Sequence, residues 1–306
     1  MLSIIIPAYG EAEQIEDSLS VIHATVAELD TPFEIVVIDD GSQDDTWAVL
    51  ERVAAGMPEL VCASLARNFG KEGAIFAGLD LARGEAVVLM DCDLQHPPQL
   101  IPEMFRAWRD DGIKVVNAIK RDRGRESAAS SLGARLFYGL FERLTHTKLS
   151  GSADFKLLDR EVVDIYRGLQ ERNTFFRGLI AWMGFPQSEV YFDVAERAKG
   201  VSKWSVYRLI QTAVTVIISF SSKPLHFVTG MGLGFFSIAG ILTVQTLYRK
   251  LTGGAVEGFT TVILLILFSS SVMMVSLGII GQYLAQIYDE VKNRPRYLIK
   301  KRNRSN

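Results

Sequence analysis

Asp91, Asp93 and Gln95 place two carboxylates and an amide oxygen directly after the apolar run 86–90. In an extended segment alternate side chains share a side, so Asp91 and Asp93 point together. Hard oxygen donors of this kind suit Mg2+ or Mn2+ bridging phosphate oxygens. A bare D-x-D is common by chance; its place at the end of an apolar run, with His96-Pro97-Pro98 following, sets this one apart. A second acidic pair, Asp39-Asp40, ends the run 33–38, where one carboxylate is placed to accept hydrogen bonds from a base or ribose. Gly41 permits a tight turn after it, and Asp45 or Thr46 is suited to cap the helix that follows. Pro7-Ala8-Tyr9-Gly10-Glu11 ends the first run and, taken alone, reads as an ordinary strand-to-helix turn. Lys120, Arg121, Arg123, Arg125 and Arg135 form a basic cluster whose partner is either a phosphate group or an anionic membrane surface.

These groups need a scaffold that brings run ends together. Apolar, β-branched runs at 3–6, 33–38, 61–65, 86–90 and 115–119 alternate with amphipathic segments at 13–29, 46–55 and 72–82. Continuous apolar strands alternating with helices predict an α/β fold with a mostly parallel sheet covered on both faces. Ligands of such sheets bind at the carboxyl ends of the strands, where both acidic pairs fall. Residues 127–149 read as a further helix, 154–166 as a short strand followed by a helix, and 194–205 as a polar, basic loop.

The last third changes character. The 306 residues carry a net charge of only −2, which gives no footprint for nucleic acid, and none is expected as a partner. The mean hydropathy of +0.18 comes from the C-terminal region. The uncharged stretch 209–222 is too short to span and follows Lys203, Trp204, Tyr207 and Arg208, so it reads as a helix lying in the membrane interface. Residues 227–247 and a span within 258–288, at 262–284, are each long enough to cross, since a crossing takes about 20 apolar residues. The tail holds Lys292, Arg294, Arg296, Lys300, Lys301, Arg302 and Arg304, against Arg249 and Lys250 in the connection, which puts the tail in the cytoplasm. Two crossings return the chain to the side of its N-terminal part, where no signal peptide is read. The expected organisation is 1–203 catalytic, 204–225 interfacial, 226–288 a two-helix anchor and 289–306 a basic cytoplasmic tail. The two cysteines, Cys62 and Cys92, form no metal or disulfide pattern and read as small buried residues.

Taken in order, the motifs resemble the family 2 glycosyltransferases with the GT-A fold. The resemblance is closest to the polyprenyl-phosphate branch, which includes dolichol-phosphate mannose synthases and bactoprenol glucosyltransferases. The matching stretches are Ile5 to Glu11, 38–46, Asn68-Phe69-Gly70-Lys71, 91–98, Ser152-Ala153-Asp154-Phe155, 197–203, Gly278 to Tyr283, and Arg294-Pro295-Arg296-Tyr297. The resemblance implies roles. Pro7, Tyr9, Glu11, Asp39 or Asp40, Lys71 and Asp91 would bind the nucleotide-sugar. Asp91, Asp93 and Gln95 would hold Mg2+ or Mn2+ and the diphosphate. Asp93 and Asp154 would sit at the reacting centre. Lys120, Arg123 and Arg135 would grip the acceptor phosphate, with Arg197, Lys199, Ser202 and Lys203 in a loop closing over it. Two positions depart from the pattern: Gly10 stands where Asn is usual, and Lys120 where Arg is common, without the bidentate fork.

The implied reaction is inverting transfer of a hexose, glucose from UDP-glucose as the first choice, to undecaprenyl phosphate at a bacterial inner membrane. The acceptor phosphate is already anionic and needs little base assistance, so a general-base role for Asp154 stays open. GDP-mannose, UDP-N-acetylhexosamine and a UDP-linked modified arabinose are alternative donors, a non-catalytic nucleotide-sugar-binding scaffold is the alternative class, and homo-oligomerisation is open. A processive polysaccharide synthase would carry Q-x-x-R-W and more spans. A dinucleotide dehydrogenase would carry G-x-G-x-x-G after the first strand, where Pro7-Ala8-Tyr9-Gly10 stands.

Overall fold

All five apolar runs are strands in a computed structural model of the chain, which describes residues 1–120, 152–172, 175–192, 218, 223–252 and 258–303. The elements are β1 (Leu2–Ala8), α1 (Ile15–Ala27), β2 (Phe33–Asp39), α2 (Thr46–Gly56), β3 (Leu60–Leu65), α3 (Lys71–Leu81), β4 (Ala86–Leu89), α4 (Ile101–Asp111), β5 (Val115–Lys120), β6 (Ser152–Asp159), α5 (Arg160–Gly168), α6 (Phe176–Trp182), β7 (Gln187–Phe192), α7 (Lys223–Leu251), α8 (Phe259–Val291) and β8 (Ile299–Arg302).

The sheet runs β7-β5-β6-β4-β1-β2-β3-β8. β1 pairs in parallel with β2 and β4, and β2 with β3, while β6 and β8 enter antiparallel. Alternation sorts the central side chains between two layers. Ile4, Ile6, Val37 and Val88 pack with Ile15, Leu19, Leu50 and Met104 of α1, α2 and α4. On the other face Gly78 of α3 comes so close to β1 that an added Cβ would lie 2.3 Å from Ile5 Cγ2. A side chain there would have to push Ile5 aside, so glycine lets α3 lie close against β1.

Strand register decides which polar ends meet. Ala8 is opposite Asp39, and Asp40 N donates to Ala8 O at 2.8 Å, so the turns after β1 and β2 share an edge. Leu89 pairs with Lys156 of the antiparallel β6; extending that register by two places brings Asp154 opposite Asp91.

The first unit comprises the elements through Phe192 together with residues 294–303; α7 and α8 belong to the second. The segment after α8, expected as a basic tail, carries β8. Ser64 pairs with Lys301, Ala66 N donates to Leu298 O (2.8 Å), and the Asn303 amide bonds Cys62 N and Leu60 O. Lysine-rich strands of this kind blunt a sheet edge. In the second unit, α7 and α8 contain two segments, Lys223–Arg249 and Leu265–Val291, each of mean hydropathy 1.8 and long enough to cross a membrane. Of the expected interfacial helix at 204–225, residues 204–217 and 219–222 lie outside the described residues, as does the helix expected at 127–149.

Candidate active site

Three turns build the site from the carboxyl ends of β1, β2 and β4. The turn after β1 is stitched to the turn after β2: Gly10 N donates to Ser42 Oγ (3.0 Å), Glu11 N to Thr46 Oγ1 (2.9 Å) and Ala12 N to Asp44 Oδ2 (3.3 Å). Gly10 has φ +71°, the left-handed region that glycine and asparagine adopt most readily, so glycine serves this turn without strain. Asp45 occupies the N-cap of α2 without a side-chain cap bond; the neighbouring Asp44 carboxylate receives Thr46 N instead, at 3.2 Å. Pro7 and Glu11 are half-buried and Tyr9 is exposed, so its ring offers a free face at the rim. Burial among Asp93 and Asp44 raises the Glu11 carboxyl above its ordinary range, partly offset by the Gln14 amide.

Asp39 and Asp40 are both buried and already bonded by the protein. Asp39 receives Ser42 N (2.9 Å) and Ser64 Oγ (2.6 Å), and it lines a cavity of about 310 Å3 with Trp47, Lys300 and Lys301. Asp40 receives Phe69 N (2.7 Å) and Gly70 N (2.9 Å). Each carboxylate oxygen keeps a second acceptor site. Their observed work is to hold the turns, and any base or ribose joins bonds already present.

After β4, the turn 91–96 folds back on itself. Leu94 takes φ +54°, Gln95 N donates to Asp93 Oδ1 (3.1 Å), and Asp91 N donates to His96 Nδ1 (3.3 Å). Burial lowers the His96 pKa, so a neutral imidazole stacks on Phe155 at 5.2 Å. Asp93 is exposed, and Asp91 and Gln95 are half-exposed. Among the described residues no cluster of three His, Cys, Asp or Glu side chains forms a closed metal cage. Two carboxylates and an amide on an open turn fit Mg2+ or Mn2+ as an incomplete donor set, the kind that keeps waters and takes phosphate oxygens from a substrate.

Lys71, at the start of α3, reaches both the turn after β4 and the start of β6. Its Nζ lies 2.6 Å from Asp91 Oδ1 and 2.7 Å from Asp154 Oδ2. Burial alone would lower its pKa; the two carboxylates outweigh that and raise it. Asp154 is 8 % exposed and also receives both arms of Arg177, with Nη2 at 2.8 Å from Oδ2. Burial works against its ionised form, but Arg177 and Lys71 hold the carboxyl well below the usual range. Beneath lie two groups shifted toward neutrality by burial: Glu72, raised to about 7 and accepting Phe176 N at 3.0 Å, and Lys156, lowered to about 7 and donating to Asn117 Oδ1.

Asp91, Asp154 and Lys71 thus come together as expected residues. Arg177, Glu72 and Lys156 were not anticipated; the available signal was a single arginine in the apolar stretch 175–182. Lys120 is half-buried at the carboxyl end of β5. Arg123, Arg135, Arg197, Lys199, Ser202 and Lys203 lie outside the described residues, so the expected acceptor-phosphate cluster is represented by Lys120 alone. The cysteines are buried and free, and burial pushes the Cys62 thiol up to about 12, an inert form.

The family model for glycosyl transferase family 2 matches residues 3–166. A bactoprenol glucosyl transferase of Shigella flexneri, prophage-derived, is 37 % identical over 311 residues covering 100 % of this chain and 99 % of its own. A glycosyltransferase of Synechocystis without assigned activity is 39 % identical, covering 97 % of this chain and 94 % of its own. Among solved structures, mannosyl-3-phosphoglycerate synthase from Rubrobacter xylanophilus aligns with a TM-score of 0.50 at 20 % identity, covering 74 % of each chain, a likeness of fold.

Proposed function

The chain belongs to glycosyl transferase family 2, a GT-A-type glycosyltransferase with two apolar C-terminal helices, and on that premise we propose that it moves glucose from UDP-glucose to a polyprenyl phosphate at the membrane surface. The observation that carries the acceptor is the extent of the match: the bactoprenol glucosyl transferase aligns from end to end, both apolar helices included. The donor would lie along the turns after β1, β2 and β4, with Pro7, Tyr9, Glu11, Asp39 or Asp40, and Asp91 around the nucleoside.

Mg2+ or Mn2+ held by Asp91, Asp93 and Gln95 would supply Lewis-acid stabilisation of the leaving diphosphate. The chain's own residues do the remaining work. The acceptor oxygen is anionic, so attack needs no proton removed. Asp154, kept ionised by Arg177 and Lys71, is a weak base and serves as a fixed anion that orients Lys71 beside the reacting centre. Lys120, Arg123, Arg135, Arg197, Lys199, Ser202 and Lys203 are assigned to the acceptor phosphate. Direct displacement inverts the anomeric carbon, and holding both reactants in line provides much of the rate.

On this reading α7 and α8 would each cross the membrane once and leave both termini on one side. What supports this reading is that β8 pairs with β3: a strand does not join a sheet across a bilayer, which fits an even number of crossings between Phe192 and Ile299. The basic residues of the last segment favour the cytoplasmic side. The test is purified protein in detergent with Mg2+, undecaprenyl phosphate and radiolabelled UDP-glucose, GDP-mannose or UDP-N-acetylhexosamine, with label counted in the organic phase. Label from UDP-glucose alone, lost with EDTA, is expected. Label from another donor would change the sugar and keep the class; none from any donor, with folded protein, would favour a non-catalytic scaffold. Asp93→Ala should lower transfer by on the order of 100-fold or more, the scale of losing one transition-state charge stabiliser, and full activity in that variant would sink the metal-assisted mechanism.

A further inference from the structure

Lys71 occupies the position of a cation. Its ammonium lies between Asp91 and Asp154, within 2.7 Å of each, and balances two carboxylates that belong to different strand ends. The two differ in what remains when the ammonium leaves. Asp154 keeps the bidentate Arg177. Asp91, with 32 % of its side chain exposed, keeps only the edge of the His96 ring, at 3.9 Å. The backbone beneath Lys71 is fixed: Gly70 turns at φ +86° and its amide, with that of Phe69, is held by Asp40. The side chain above that base is 42 % exposed and has four methylenes with which to swing.

We propose that Lys71 is an internal counter-cation that competes with the divalent ion for Asp91, so that ion and nucleotide-sugar bind in concert. The inference rests on the assignment of Asp91, Asp93 and Gln95 to the metal. In the free chain the ammonium holds Asp91, and a divalent ion meets a carboxylate already neutralised. When the donor arrives, its diphosphate offers Lys71 a third anion beside the first turn of α3. The side chain then releases Asp91, keeps Asp154 as its anchor, and neutralises the diphosphate. Each ligand thereby lowers the cost of binding the other, and the coupling is reciprocal. The free site stays closed to adventitious cations, and the diphosphate gains a positive charge.

The experiment is Mn2+ titration of the full-length protein in detergent, read by the electron paramagnetic resonance of free Mn2+, with and without UDP-glucose. Wild type should bind Mn2+ weakly alone and much more tightly with donor. Lys71→Met, which removes the charge and keeps the length, should bind Mn2+ alone about tenfold more tightly, equivalent to about 1.4 kcal/mol, and should lose most of the donor-induced gain. Lys71→Arg keeps the charge and should behave as wild type. Lys71→Met binding Mn2+ no more tightly than wild type would overturn the counter-cation. Asp93→Asn separates the two ideas. Loss of Mn2+ binding in that variant supports the metal assignment whatever Lys71 does; unchanged binding would overturn both.

Discussion

Ile5 and Leu267 are similarly apolar and meet opposite surroundings. Ile5 is 0 % exposed in the sheet, whereas Leu267 is 59 % exposed on α8, with Phe236, Phe268 and Met274 at 60 % or more around the two helices. The hydroxyls follow the same division. In the first unit Ser3 bonds Glu34, Ser18 bonds Cys92 O and Ser64 bonds Asp39, all across long sequence separations. On α7 and α8, Thr229, Ser237, Thr243, Ser271 and Ser276 each bond the carbonyl four residues back. A hydroxyl that bonds its own helix needs no outside partner, as lipid requires. One region folds by hiding apolar surface from water; the other presents it, and the solvent that suits it is hydrocarbon.

The largest effects should come from exchanging charge between the regions. Arg177→Leu leaves Asp154 buried with Lys71 alone, and breaking a buried pair costs about 3–5 kcal/mol; pulse proteolysis of the purified protein measures it. In α8, Leu267→Arg inserts the charge instead, at about 2.5–3.5 kcal/mol at mid-membrane, read as the fraction resisting carbonate extraction. Arg177→Leu proving neutral, or Leu267→Arg inserting normally, would erase the contrast.

A smaller pair of truncations sharpens it. Ile5→Ala should destabilise the first unit by about 2–5 kcal/mol through transfer and cavity costs. Leu267→Ala should cost about 0.5 kcal/mol or less, since it leaves no protein cavity. Equal costs in proteolysis would mean that α8 is a core helix of a water-soluble body.

The same division explains what sequence reading reached. The strands β1 to β5 and the helices α1 to α3 were legible because each is a local pattern of apolar residues, as were the two long apolar stretches. α4 was not anticipated, although Ile101, Met104 and Phe105 have helical spacing. β8 read as a solvated tail because Ile299-Lys300-Lys301-Arg302 looks basic and polar; as an edge strand it can be both. The site divided likewise. Asp91 and Asp154 were named separately, but their approach depends on the antiparallel entry of β6, a long-range pairing that no local pattern encodes. Asp39 and Asp40 were read as ligand-binding residues, and their bonds to Ser42, Ser64, Phe69 and Gly70 became visible only in three dimensions.

The smallest expected effect concerns charge held inside the first unit. Burial and the nearby Asp154 raise Glu72 from 4.5 to about 7, so the folded chain binds this proton more tightly than the unfolded chain does. Between those values the folded state carries the extra proton, and stability falls as pH rises. The penalty is absent below the unfolded value and complete above the folded one. Glu72→Gln removes the ionisation while keeping an oxygen for Phe176 N. The apparent Tm of the variant should match wild type near pH 4.5 and exceed it by a few degrees at pH 8, with the gap opening between. A gap independent of pH would mean that Glu72 is already neutralised by Lys71 and Arg177. The polar network would then behave as a closed set of ion pairs, with no proton taken up on folding.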